Sequence, residues 1–256
     1  MSDKPQKKLE KAKQQKRSVL VLGATGATGK HVVNQLLDQG ESVKVIVRSA
    51  EKLPQANPNL EITEASLLDL TDKELEEQVK GCYAVVSCLG HNLSFKGIYG
   101  QPRKLVTDAA RRLCTAIGKV TGTGKVKYIL MNTTGNQNRD LEEPIMLKEK
   151  VVVGIIRVLL PPHVDNEQAA DYLRVEIGHN HDRIDWVTVR PDTLIDHVEV
   201  SEYTLHPSPI RSALFNAGKT SRINVGHFMA ELATDDELFE SWKGQMPVIY
   251  NTDTED

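Results

Sequence analysis

Val19-Leu20-Val21-Leu22 is an unbroken run of apolar residues. It suits a strand buried on both faces, as in a parallel sheet with helices on either side. Gly23, Gly26 and Gly29 follow at three-residue spacing, and His31–Leu37 then takes a helical period. The turn Gly40-Glu41-Ser42 precedes a second apolar run, Val43–Val47. The exchange continues with a strand over Leu60–Ala65 and a helix opened by the capping box Thr71-Asp72-Lys73-Glu74, ending near Gly81. A buried strand is predicted over Ala84–Leu89, a helix over Lys104–Ile117 ended by Gly118, and a strand over Val126–Met131. Asp165, with Gln168 after it, is expected to cap a helix running to Gly178. Ile184–Arg190 is the next strand, ended by Pro191. Strands and helices thus alternate as in an α/β, doubly wound parallel sheet.

Two segments exceed an ordinary connection, His91–Arg103 and Asn136–Val164. Within the first, Asn92–Gly100 mixes aromatics, a cation and glycines, and is read either as a lid or as a packed surface loop. Within the second, Glu143–Leu160 predicts an extra helix. Beyond Pro191 the pattern loosens: 192–225 reads as a small substrate cap, followed by a helix at Val225–Ala233 and a last strand at Pro247–Tyr250.

Strand, glycine turn and helix together form a site for a diphosphate. Glycines permit a tight turn and close backbone approach, and a helix N-terminus offers free N–H groups and a positive dipole end. Arg48 and Ser49 stand at the end of the second strand, where an arginine suits the 2′-phosphate of NADP and a carboxylate would suit NAD. No acid occurs within Val43–Ala50.

The chain carries a net charge of −3, unevenly spread. Residues 1–17 hold seven Lys/Arg against two acids, leaving 25 against 33 elsewhere, a net of −8. The expected organisation is a mobile basic tail over 1–17, one domain over 18–250 and an acidic tail over 251–256. A body so acidic argues against nucleic acid as partner. Val151–Leu160 is interrupted by Gly154 and Arg157 and is too short for a bilayer, so no membrane contact is expected. Cys82, Cys88 and Cys114 show no paired spacing and read as reduced core thiols of a cytoplasmic protein. His179-Asn180-His181 lacks an evident third ligand, so no metal is expected.

These residues resemble the atypical, NAD(P)-binding Rossmann branch of the short-chain dehydrogenase/reductase superfamily, from about Ser18 to Tyr250. Within it they are similar to NADPH-dependent flavin- and biliverdin-reductase-like proteins and to nitrogen-metabolite-repressor-like proteins. The resemblance assigns Gly23, Thr25, Gly26, Ala27, Thr28 and Gly29 to the cofactor's glycine motif and Arg48-Ser49 to the NADPH-selecting strand end. It places Cys88, Leu89 and Gly90 along the cofactor. Asn132-Thr133-Thr134-Gly135 looks like the branch's Ser-Ser motif, giving Thr133 to the cofactor. Arg190-Pro191 looks like its Arg-Pro motif, bringing backbone at Pro191 to the nicotinamide carboxamide. Ser66 replaces the usual adenine-side aspartate, with Asp69 as a nearby substitute.

The superfamily's Tyr-x-x-x-Lys pair is missing. Counting back from Leu173-Arg174 puts Pro162 and Asn166 in its place. Asn166 retains hydrogen bonds toward the nicotinamide ribose without the charge. For the proton, Thr134 at the end of strand five, His91 after strand four, His163 and water remain open. The resemblance implies NADPH-dependent hydride transfer to a small carbonyl or conjugated organic acceptor. The rival expectation is an NADP(H)-binding redox sensor or scaffold protein without turnover. Finally, Glu143–Leu160 is more apolar than one face of a surface helix needs, and such a patch closes most simply by two-fold symmetry. The segment is expected to pack partly on its own domain and partly on a second subunit, or under the substrate cap, with a homodimer favoured; light scattering at micromolar concentration showing a monomer near 28.5 kDa would exclude the dimer and leave burial within the domain.

Overall fold

The computed structural model describes residues 17–54, 57–91, 99–120, 124–141, 143 and 147–252. Most of the basic tail, the greater part of the lid candidate and the end of the acidic tail lie outside the described residues.

The strands are β1 (Ser18–Leu22), β2 (Ser42–Val47), β3 (Leu60–Glu64), β4 (Cys82–Ser87), β5 (Val126–Met131), β6 (Ile184–Pro191), β7 (Thr193–Ile195), β8 (Tyr203–His206), β9 (Lys219–Ser221) and β10 (Val248–Asn251). The helices are α1 (Gly29–Asp38), α2 (Asp72–Val79), α3 (Leu105–Lys119), α4 (Leu147–Leu159), α5 (Pro161–Asp171), α6 (Arg222–Thr234) and α7 (Asp236–Trp242). One sheet runs β3-β2-β1-β4-β5-β6-β10-β8. Its strands are parallel except β8, which pairs antiparallel to β10. This is the doubly wound α/β Rossmann fold.

β1 is buried along its whole length. Its side chains alternate between the two faces, as a period of two requires. Leu20 and Leu22 join the core beneath α2, α3 and α5, while Val19 and Val21 join the core beneath α1 and α6. The apolar run is the signature of this double coverage.

The α2 capping box forms as its sequence predicts, with Glu74 N donating to Thr71 Oγ1 at 3.3 Å and Thr71 N donating to Glu74 Oε2 at 2.7 Å. Gly118, by contrast, does not end α3, which continues to Lys119. Asp165 does not cap its own helix either. Proline-led α5 starts at Pro161, and a π-helical turn over Tyr172–Ile177 carries the chain on to Gly178. Within 192–225, β8 extends the main sheet and β7 pairs with β9. Helix α7 has no counterpart in the sequence reading; Asp235 Oδ1 caps it by accepting from Glu237 N at 2.8 Å and Leu238 N at 3.0 Å.

Arg190, in β6, is fully buried. Its guanidinium donates to both oxygens of Glu143 at 2.7 and 3.0 Å. It also donates to the carbonyls of Met246 at 2.7 Å, Asn136 at 3.0 Å and Pro207 at 3.1 Å. Arg190→Ala would leave Glu143 buried without its counter-charge, at a cost of about 3–5 kcal/mol. Urea denaturation is expected to show that loss for Arg190→Ala and for Glu143→Ala; a change below about 1 kcal/mol would mean that the pair is not what joins these segments.

Candidate functional site

Because β1, β2, β4, β5 and β6 run parallel, their C-terminal ends share one edge. Gly23 follows β1, Arg48 follows β2, Cys88 follows β4, Asn132 follows β5 and Asp192 follows β6. Ligands of open parallel sheets bind in the crevice outside this edge.

The three glycines do different work. A Cβ on Gly23 would lie 2.4 Å from the Cys88 carbonyl oxygen, and the residue holds a φ of 69°. A Cβ on Gly29 would lie 2.1 Å from the Gly23 carbonyl oxygen. These two let the turn pack on the sheet and on itself. Gly26 is exposed, with a Cβ position 3.0 Å from the same oxygen. Gly26 and Ala27 are thus the backbone presented outward. Helix α1 begins at Gly29 without a side-chain cap from Thr28 and without an acid in its first turn. Its N-terminus is therefore open to an anion, and a diphosphate fits the chemistry of this turn. Arg48 and Ser49 are exposed beside it, and Arg48 has no carboxylate partner among the described residues. Asp69 is exposed beyond β3.

The ends of β5 and β6 are tied together. Asn132 N donates to Val189 O at 2.8 Å, and Thr134 N donates to Pro191 O at 3.1 Å. Asn132 Nδ2 donates to the Asn166 carbonyl at 2.9 Å, and its Oδ1 accepts from Thr133 N at 2.9 Å. Asn166 is thus positioned by its backbone, through a residue the sequence reading had placed in a cofactor motif.

A cavity of 610 Å³ opens here, lined in part by Thr133, Thr134, His163 and Asp192. Asp192 Oδ2 accepts from Gly218 N at 2.9 Å. Burial pushes its carboxyl above the usual range, opposed by hydrogen bonds from Gly218 N–H and the Thr134 hydroxyl. Burial holds the His163 imidazole below its ordinary range, opposed by the Glu167 carboxylate. Asp192 was missed from the sequence; its signal was its place immediately after the Arg-Pro pair at a strand end.

His91 lies elsewhere. Its Nε2 is 2.8 Å from Asp165 Oδ2, and its side chain is 5% exposed. The same carboxylate accepts from Val106 N at 2.8 Å and Thr107 N at 3.0 Å. Asp165 therefore caps α3 from a neighbouring helix, where a negative charge suits the helix N-terminus. His91 and Asp165 form one buried structural pair outside the cavity lining. Cys88, buried, has its thiol pushed up to about 12 and lies 3.9 Å from the Met229 sulfur. All three cysteines are buried and free. Among the described residues no group of His, Cys, Asp or Glu could hold a metal ion, and no helix is long and apolar enough to cross a membrane.

The model of the NAD(P)H-binding family matches residues 23–236. A chloroplastic protein of Arabidopsis thaliana is 38% identical over 82 residues, so the match spans 31% of this chain and 29% of that protein. Among solved structures, the chain is similar to the oxidoreductase ylbE from Lactococcus lactis, at 18% identity and a TM-score of 0.65 over 93% of this chain and 92% of that one. A wide-type short-chain dehydrogenase/reductase from Veillonella parvula in complex with NADP is 15% identical, with a TM-score of 0.65 over 94% and 97%. The anaerobillin reductase ChuY from Escherichia coli O157:H7 is 15% identical, with a TM-score of 0.64 over 93% and 99%. With its glycine turn, its parallel sheet and a family match over most of its length, the chain belongs to the NAD(P)H-binding family of Rossmann-fold proteins.

Proposed function

We propose that the protein is an NADPH-dependent oxidoreductase that reduces a small carbonyl or conjugated organic acceptor. The observation that carries this reading is the position of the cavity. It opens at the ends of β5 and β6, on the same sheet edge as the glycine turn and Arg48. A dinucleotide lying along that edge, its diphosphate at Gly26 and Ala27, would bring its nicotinamide toward Thr133, Pro191 and the cavity.

When bound, the reduced nicotinamide supplies a hydride; the protein orients the acceptor and handles one proton. Thr134 suits the second task, since it lines the cavity and its hydroxyl is held against the Asp192 carboxyl, whose pKa burial raises. Water is the other source. His91 does not fit the role, because it is buried against Asp165 and is not part of the cavity lining. Arg48 supports NADPH over NADH, since a guanidinium forks onto a phosphate.

A second reading, an NADP(H)-binding sensor without turnover, is favoured by Pro162 and Asn166 standing where the superfamily's tyrosine and lysine would be. NADPH oxidation against quinones, flavins, biliverdin and aldehydes separates the two. Turnover of any acceptor supports the reductase, and tight NADPH binding without turnover supports the sensor.

Two variants test the cofactor site. Arg48→Ala should lower NADPH affinity about tenfold or more and leave NADH unchanged, as expected for loss of a charge-assisted bond. Fluorescence titration giving equal NADPH and NADH affinities in the parent protein would overturn the assignment. Gly26→Val should abolish NADPH binding with the circular dichroism spectrum retained, because its side chain would stand outward where the diphosphate must approach. Gly29→Ala should instead lower the melting temperature, since its Cβ would strike the Gly23 carbonyl. Unchanged NADPH binding by Gly26→Val would put the ligand elsewhere.

A further inference from the structure

The cavity has two kinds of wall. Val153 and Ile156 of α4 face it from one side, and Ile210 and Leu214 contribute further apolar lining from the segment after β8. Beyond these, Ile155, Leu159 and Phe215 remain exposed at 53%, 56% and 51%. Apolar side chains gathered at a concave site, with a few polar groups at its floor, are the usual composition of a small-molecule pocket. Its volume of 610 Å³ falls within the range of such pockets.

One polar group at the floor is unsatisfied. His163 Nε2 is buried and has no hydrogen-bond partner among the described residues. The carboxylate nearest to it in charge pairing, Glu167, has its Oε1 4.0 Å away, beyond hydrogen-bond distance. Glu167 is itself held by Arg157, which donates from Nε at 2.8 Å and Nη2 at 2.6 Å. The other polar floor groups are engaged: Asp192 accepts the Gly218 N–H, and Thr133 Oγ1 accepts the Gly135 N–H at 3.2 Å. A buried polar atom without a partner costs about 1–3 kcal/mol, and few are kept in native proteins. The His163 side chain lines the cavity while Nε2 itself is closed off, so a turn of the ring is what brings this atom to a partner supplied by a ligand. In its neutral Nε2–H tautomer, His163 offers a single donor, which suits a carbonyl oxygen.

We propose that the cavity binds a compound with a flat apolar ring body and a carbonyl group, the rings against Val153, Ile156, Ile210 and Leu214 and the carbonyl oxygen accepting a hydrogen bond from His163 Nε2. This names the acceptor class and rests on the reductase reading only in taking the cavity as the acceptor's place. Binding is tested without cofactor or turnover.

Calorimetry with 1-tetralone, a bicyclic ketone, and tetralin, the same body without the oxygen, reads both halves of the proposal. The parent protein should bind 1-tetralone about tenfold more tightly than tetralin, as one satisfied buried donor would give. His163→Phe should remove that preference, while His163→Gln, which keeps an N–H donor, should retain part of it. Ile156→Asp should weaken both compounds. Melting curves of each variant establish that it is folded. No binding of either compound, equal affinity for both, or an unchanged preference in folded His163→Phe would overturn the proposal. A ketone that binds as stated beside an absence of NADPH oxidation with every acceptor would leave the site standing and remove the reductase reading.

Discussion

The buried charge of Arg190 is the constraint on which this end of the molecule depends. A guanidinium with no exposed surface must have its charge balanced and its N–H groups bonded, or the fold loses several kcal/mol. Here the balance comes from Glu143, and the remaining donors reach carbonyls of Asn136, Pro207 and Met246. Those partners come from the segment after β5, the residue after β8 and the approach to β10. One side chain thereby gathers three otherwise separate stretches around the end of β6. The segments so joined include Gln137, Glu143 and Pro209 of the cavity wall. A buried ion pair of this kind adds little net stability over a well-packed apolar substitute. Its effect here is geometric, since it determines which segments meet.

A second long-range contact organises the other side of the site. Asp165 reaches from α5 to the N-terminus of α3, whose own N-cap residue, Lys104, supplies no side-chain cap. The carboxylate also holds His91, and the Thr107 hydroxyl donates to the Asp165 carbonyl at 2.9 Å. These bonds hold α5 against α3 and the end of β4. Since His163 and Asn166 stand in the same helix as Asp165, the cavity's polar side inherits its position from this contact. A carboxylate that spacing alone reads as a local cap is a tertiary cap, and the histidine that spacing reads as a proton donor is its partner.

The glycine turn shows why one motif carries two kinds of information. Gly23 and Gly29 are required by backbone packing, whatever the turn binds. Gly26 is exposed and less crowded, its Cβ position 3.0 Å from the Gly23 carbonyl oxygen, and is the position at which an external group would meet the backbone. A substitution at the first two tests the fold, and a substitution at the third tests the ligand.

Features that depend on neighbours along the chain were legible in the order of residues. The four-residue apolar run of β1, the Thr71–Glu74 box and the strand at Val126–Met131 each arise from backbone geometry within a few positions. The glycine spacing and Arg48 at a strand end are of the same kind, and with the alternation of strands and helices they were enough for the Rossmann fold. The cavity was not legible in that way. Arg190 and Glu143 are 47 positions apart, and Asp165 and Val106 are 59. Their pairing depends on the sheet bringing distant loops to one edge. Nor did periodicity give β8 or β9, which are short and only partly buried, with their pairing supplied by the main sheet and by β7. Local patterns encode repeating backbone geometry, whereas the chemistry of an individual His or Asp is set by what folding packs against it. That is why His163 and Asp192 acquire their place at the cavity, and His91 its place outside, only in three dimensions.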